Sequence, residues 1–144
     1  MADFRKVDDG ISVAPQIQPE DIAAIKAAGF TAVVNNRPDD EQDGQPAGDS
    51  IRAAVLAAGL TYAAIPIGQG GFGHPQIAAM VDLIEDADGP VLAFCRSGTR
   101  SCNLWALARA RMGDSPDELI AKGAEAGYDL SGLRPLLDQV AAQA

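Results

Sequence analysis

The chain has 144 residues, 47% of them hydrophobic, and carries a net charge of −9 at pH 7 with an isoelectric point near 4.3. Such a length supports one hydrophobic core and predicts a single domain over residues 1–144, while the acidic balance excludes broad contact with nucleic acid or an anionic membrane. No apolar run reaches membrane-spanning length, Met1-Ala2-Asp3-Phe4-Arg5-Lys6 lacks the apolar stretch of a signal peptide, and two cysteines make no disulfide framework, so a cytoplasmic location is expected.

In chain order, residues 11–14 predict a short opening strand. Pro19-Glu20-Asp21 then opens an amphipathic helix carrying Ile22 and Ile25, with Gly29 as its stop. Residues 31–34 read as a buried strand that ends at Asn35-Asn36-Arg37-Pro38-Asp39, and the polar segment 40–48 reads as a loop. A second helix is expected over 49–58, closed by Gly59, and a strand over 61–65. Four glycines between Gly68 and His74 mark a loop with unusual backbone angles. Pro75 begins a third helix that ends near Asp88-Gly89-Pro90, and a strand over 91–94 follows. Residues 100–112, 116–125 and 130–142 all read as helical, with breaks at Gly113 and Gly127 and no further strand. Strands alternating with helices predict a parallel-rich α/β sheet. Ligands of such sheets bind beyond the carboxyl ends of the strands, where Asn36, Gln69 and Cys95 would gather.

The run Val91-Leu92-Ala93-Phe94 ends on Cys95, and Arg96-Ser97-Gly98-Thr99-Arg100 leads from it into a helix. Backbone N–H groups of such a loop converge on one point, and the helix N-terminus adds unpaired donors and its positive dipole end. The same field favours a thiolate, which makes Cys95 the candidate nucleophile. Arg100 can fold back over the loop and clamp a tetrahedral oxyanion with its planar fork of donors. The candidate anion site is therefore Arg96, Ser97, Gly98, Thr99 and Arg100 around Cys95. Arg96 reads equally well as a solvated side chain. Arg37 fits either a second anion contact or an ion pair with Asp39 or Asp40.

Other residues have plainer readings. Cys102 is expected to pack within the helix, the alternative being a resolving thiol for an oxidised Cys95. Trp105, with Leu104 and Leu107, is expected in the core, and the acidic clusters at 39–43 and 85–88 in solvent. One histidine and two cysteines cannot supply a four-ligand metal site, and no motif implies a cofactor.

Three stretches carry a resemblance: Gly29-Phe30-Thr31-Ala32-Val33-Val34-Asn35-Asn36-Arg37-Pro38-Asp39, then Ala58-Gly59-Leu60-Thr61-Tyr62-Ala63-Ala64-Ile65-Pro66-Ile67, then the cysteine loop. With the helices between them they resemble the dual-specificity branch of the cysteine-dependent protein tyrosine phosphatases. More closely, they are similar to the bacterial phosphatase-like domain family of the β-lactamase hydrolase-like proteins, whose members also occur fused to metallo-β-lactamase-like hydrolases. The resemblance implies an α/β fold of the cysteine-dependent, dual-specificity-like kind, with a central, mostly parallel sheet flanked by helices. It implies hydrolysis of phosphate monoesters, phosphotyrosine among them, carried by a phosphorylated small molecule or protein. Cys95 would attack phosphorus to give a phosphocysteine that water hydrolyses, Arg100 would hold the phosphoryl oxygens, and Ser101 would sit beside the thiolate and help it leave. A metallo-β-lactamase-like hydrolase is the expected partner.

The chain departs from the phosphatase pattern twice. Four residues separate Cys95 from Arg100, where the signature has five. The loop after the strand at 61–65 offers Gly68 and Gln69, where phosphatases carry an aspartate general acid. Loss of such an acid costs about 10²- to 10⁴-fold in rate, and His74 and Asp39 are the candidates to replace it. The four-residue spacing also resembles the active loop of rhodanese-type sulfurtransferases, whose cysteine carries a persulfide. Against that alternative, Gly113-Asp114-Ser115-Pro116 and the helices beyond it depart from the rhodanese order. A non-catalytic binder of phosphorylated ligands is the third reading, and the thiol of Cys95 argues against it.

Overall fold

Strand β5 (Val91–Phe94) is apolar and buried at all four positions, which suits the middle of a sheet covered on both faces. The computed structural model describes residues 3–144 and places it there; Met1 and Ala2, part of the N-terminal stretch read above, lie outside them. With β1 (Arg5–Asp8), β2 (Ile11–Ala14), β3 (Ala32–Asn35) and β4 (Thr61–Ala64), it forms a five-stranded sheet of order β1-β2-β5-β3-β4. Only β1 runs antiparallel, joined to β2 by a tight turn in which Gly10 N–H donates to Asp8 Oδ1 at 2.8 Å. The expected parallel-rich sheet is found. The strand β1 was not expected, because its only buried apolar residue is Val7 and its flanking Arg5 and Lys6 are exposed.

Side-chain alternation along the strands divides the core. Val33, Leu92 and Phe94 face α1 (Ile22–Ala27) and α2 (Gly48–Ala57), meeting Ile22, Ile25, Ile51 and Val55. Val34, Val91 and Ala93 face α3 (His74–Asp86), α4 (Thr99–Arg111), α5 (Pro116–Glu125) and α6 (Arg134–Ala141). Helix α4 is buried around most of its circumference, and α3, α5 and α6 pack against it. It buries Leu104, Trp105 and Leu107, the core role expected for Trp105. The helices expected from Pro19 and from residue 130 begin as 3-10 turns, Pro19–Asp21 and Ser131–Leu133, before α1 and α6. Among the described residues no helix is long and apolar enough to cross a membrane.

Register positions the site. Ala14, Phe94 and Asn35 lie level on three adjacent parallel strands. The chain leaving each therefore emerges at one edge, bringing Gln16, Cys95 and Asn36 together.

Candidate active site

Cys95 is the first residue beyond β5 and is fully buried. Its N–H donates to Ala14 O at 3.3 Å, continuing the sheet by one residue. The backbone then turns sharply: Gly98 has φ 93°, a left-handed conformation that favours glycine. That turn brings Gly98 N–H to 3.1 Å from Cys95 Sγ. Gly98 O in turn accepts Cys102 N–H at 2.9 Å, which starts α4. Ser97 Oγ accepts Thr99 N–H at 3.4 Å and pairs with Thr99 Oγ1 at 3.0 Å. The side chains of Arg96, Ser97 and Thr99 are exposed on the outer surface of the loop. Arg96 contributes its carbonyl, which accepts Gln16 N–H at 3.3 Å and ties the loop to the end of β2.

Arg100 does fold back from α4, and its hydrogen bonds leave one side of the guanidinium open. Nη1 donates to Glu41 Oε2 and to Ile67 O, both at 2.7 Å, and Nη2 donates to Glu41 Oε1 at 2.9 Å. The end-on fork is thus filled by Glu41. A guanidinium has five N–H donors, so Nε–H and the second Nη2–H remain as a side fork for an oxyanion. The hydrogen bond to Glu41 raises the pKa of Arg100, and the neighbouring Cys95 adds to that rise.

Glu41 is itself held from behind. Arg37 Nε donates to Glu41 Oε1 at 2.9 Å, and its Nη1 and Nη2 reach Gln16 Oε1 at 3.0 Å and Gln42 Oε1 at 3.4 Å. Arg37 is buried, so this pairing is its counter-charge; the expected partners, Asp39 and Asp40, do not bind it. Between Arg100 and Arg37, the carboxyl of Glu41 is pulled down to about 2. The expectation that the acids at 39–43 are merely solvated fails at this residue.

Ser101 is buried beneath the loop and donates its hydroxyl proton to Asn36 Oδ1 at 2.8 Å. The orientation of Asn36 is fixed by its other side, where Nδ2 donates to Ile65 O at 2.9 Å. The first turn of α4 is thereby pinned to the ends of β3 and β4, and the one proton of Ser101 is directed at Asn36. Cys102 is buried, and burial, then the charge of Cys95, push its thiol up to about 12. That makes it a packing residue with little thiolate.

The two candidate acids stand differently. Asp39 Oδ1 accepts Gly48 N–H at 2.8 Å and caps the start of α2. His74 is exposed at the first residue of α3, and Gln69 is exposed in the loop after β4. Among the described residues no cluster of three or more His, Cys, Asp or Glu is placed to hold a metal ion. Glu41, Gln16 and the Ser101 partnership of Asn36 were not found from sequence. Glu41 lies 59 positions from Arg100, and its only local signal is Arg37 four residues earlier.

Comparison with known proteins gives the same picture. The model of the family described as "Beta-lactamase hydrolase-like protein, phosphatase-like domain" matches residues 3–112. The Beta-lactamase hydrolase-like protein of Agrobacterium fabrum is 30% identical over 138 residues, covering 95% of this chain but 32% of that protein. The chain thus spans about a third of the length of the curated relatives it matches. Among solved structures, a candidate phosphatase from Neisseria meningitidis is 33% identical, with a TM-score of 0.81, covering 94% of this chain and 96% of its own. Tk-PTP in its active form has a TM-score of 0.76 at 17% identity, covering 98% of this chain and 97% of its own, and shows the fold alone. The α/β fold of the cysteine-dependent, dual-specificity-like phosphatases, expected from the sequence, is the one adopted.

Proposed function

The chain belongs to the phosphatase-like domain family of the β-lactamase hydrolase-like proteins, and from that premise we propose that it hydrolyses phosphate monoesters through a phosphocysteine on Cys95. The observation that carries this reading is the pairing of a buried thiol, facing Gly98 N–H at 3.1 Å, with an Arg100 whose side fork is free. In the first step Cys95 Sγ forms a bond to phosphorus as the P–O bond of the ester breaks. The leaving oxygen takes a proton from His74 or from solvent, or departs as an anion when it is aryl. In the second step water attacks the same phosphorus, the S–P bond breaks, and inorganic phosphate leaves with the thiolate restored. Arg100 binds the equatorial oxygens in both steps, where fixed donors stabilise the transition state most. Ser101 reaches the departing thiolate only by releasing Asn36. The substrate class in this reading is a phosphorylated small molecule or protein, phosphotyrosine included. A metallo-β-lactamase-like hydrolase is the proposed partner, supported by the names of the longer relatives.

The four-residue spacing keeps persulfide chemistry as the competing reading, and one experiment separates the two. Wild type and Cys95→Ser are assayed with p-nitrophenyl phosphate, whose leaving group needs little acid catalysis, and with thiosulfate plus cyanide. Phosphate release that Cys95→Ser abolishes, without thiocyanate, is the expected result. Thiocyanate without phosphate would replace the proposal with sulfur transfer. Phosphate release that survives in Cys95→Ser would remove the nucleophile assignment.

A further inference from the structure

Behind the cysteine loop, from the segment following α5, Tyr128 reaches the backbone of Ser97. Its hydroxyl donates to Ser97 O at 3.1 Å. It also fills the space a side chain on Gly98 would need. Ser97 O and Gly98 N–H belong to the same peptide unit. No cis bond occurs in the described chain, and in a trans peptide the C=O and N–H point in opposite directions. A hydroxyl gripping the oxygen on the outside therefore turns the N–H inward, where it meets Cys95 Sγ at 3.1 Å. Glycine at 98 makes this plane easy to rotate, since either orientation is open to it. Something must choose between them. We propose that Tyr128 is a positioning residue that locks the Ser97–Gly98 peptide with its N–H aimed at the nucleophilic sulfur.

The surroundings keep Tyr128 suited to that task. Burial raises the pKa of its phenol above the ordinary value, with Cys102 and Cys95 adding to the rise and Arg5 opposing it, so the hydroxyl remains a donor at neutral pH. The Arg5 guanidinium lies 5.5 Å from the ring centroid and holds the ring from the far side, itself paired to Asp3 at 3.0 Å. The family model ends at residue 112, so Tyr128 lies outside the matched stretch. This prop belongs to the segment between α5 and α6.

The inference rests on Cys95 being the nucleophile, but it can be tested without any phosphatase assay. Iodoacetamide reads the thiol directly: the thiolate displaces iodide and becomes a carbamidomethyl thioether. Charged and titratable groups around Cys95 are Arg100 with its partner Glu41, Cys102 and Tyr128, and Tyr128→Phe keeps all but the last, preserving the ring under Arg5. Alkylation at Cys95, followed by peptide mass spectrometry, should slow about three- to tenfold at pH 6 and be unchanged at pH 10, the effect of losing one hydrogen bond to a charged acceptor. Equal rates of the two proteins at pH 6 would overturn the proposal. So would a uniform change at both pH values, which is the mark of altered access. A second measurement needs no variant. In wild type the Gly98 amide resonance should titrate together with Cys95, and a Gly98 signal that ignores that titration would sink the idea even if Tyr128→Phe failed to fold.

Discussion

The two ends of the parallel strands are both polar, yet their polar groups are partnered differently. At the amino-terminal end a cavity of about 540 Å³ is lined by Asp8, Gly10, Asp88, Val91, Trp105 and Lys122. Several of the polar groups around it are already matched: Trp105 Nε1 donates to Asp8 Oδ2 at 3.2 Å, and Arg109 holds Asp114 through bonds of 2.8 and 3.1 Å. The carboxyl-terminal end is more crowded. Its ion pairs are just as complete, but they fill one side of Arg100 and leave the other open, beside a thiol and the start of α4. Helices follow strands at this end, so their unpaired N–H groups and positive poles collect there. Hollow volume records how elements pack, whereas reactivity records where donors are left without partners.

The largest test of that contrast is Glu41→Gln. The variant keeps the shape of the side chain but removes the charge that aligns Arg100 and balances Arg37. Deleting a single oxyanion donor costs about 10²- to 10³-fold. Loosening one that is still present should cost less, about ten- to a hundredfold in kcat/KM. Stability should fall by only about 1–3 kcal/mol, because Glu41 remains 28% exposed and solvent screens part of the pair. The pH dependence follows from its lowered pKa, about 2 against an ordinary 4.5. A carboxylate held down in the folded state contributes stability above its unfolded pKa and loses it as the pH falls through the folded one. Urea denaturation should therefore show wild type losing the contribution of this pair between pH 4.5 and 2, and Glu41→Gln showing none of that loss. A variant with wild-type kinetics would mean that Arg100 needs no such alignment, and the two ends would differ less than the geometry indicates.

Legibility in the sequence followed the range of the interactions. The strands β3 and β5 announce themselves by runs of three or four apolar residues, and the cysteine loop is a single unbroken segment, so both could be read directly. Strand β1 could not, since its pairing with β2 is made by the backbone and Val7 alone marks a buried face. The supports of the loop were also hidden, because their partners are far apart along the chain: 59 positions for Glu41 and Arg100, 65 for Asn36 and Ser101, 31 for Ser97 and Tyr128. No local periodicity encodes such pairs. An acid in a polar loop looks solvated until the fold brings a cation to it.

A change at the opposite end should separate stability from activity. Trp105 is 1% exposed and lies six residues into α4 from Thr99, a rise of about 9 Å from the loop. Trp105→Phe removes the bond to Asp8 and leaves unfilled volume, which should cost about 1–3 kcal/mol in chemical denaturation. The value of kcat/KM should stay within about twofold of wild type. A fall of tenfold or more in the folded variant would show that α4 transmits strain from one end to the other, and the division drawn above would fail.

The smallest expected effect belongs to a residue at the carboxyl-terminal end itself. Asp39 is one of two acids that could have served as proton donor, yet its Oδ1 accepts Gly48 N–H at 2.8 Å and caps the start of α2. No cap signature in the sequence reveals this, because Asp39 stands nine positions before the helix rather than next to it. A capping acceptor replaced by alanine typically costs about 1 kcal/mol, while asparagine, which retains an acceptor oxygen, costs less. Thermal denaturation should rank the proteins wild type, Asp39→Asn, Asp39→Ala, with kcat on p-nitrophenyl phosphate and on phosphotyrosine alike in all three. The comparison between substrates is the discriminating part. Removing a general acid slows an ester with a poor leaving group far more than an activated one, whereas removing a helix cap slows neither. If Asp39→Asn lost phosphotyrosine hydrolysis by a hundredfold and kept p-nitrophenyl phosphate, Asp39 would leave Gly48 during turnover, and α2 would have to move with it.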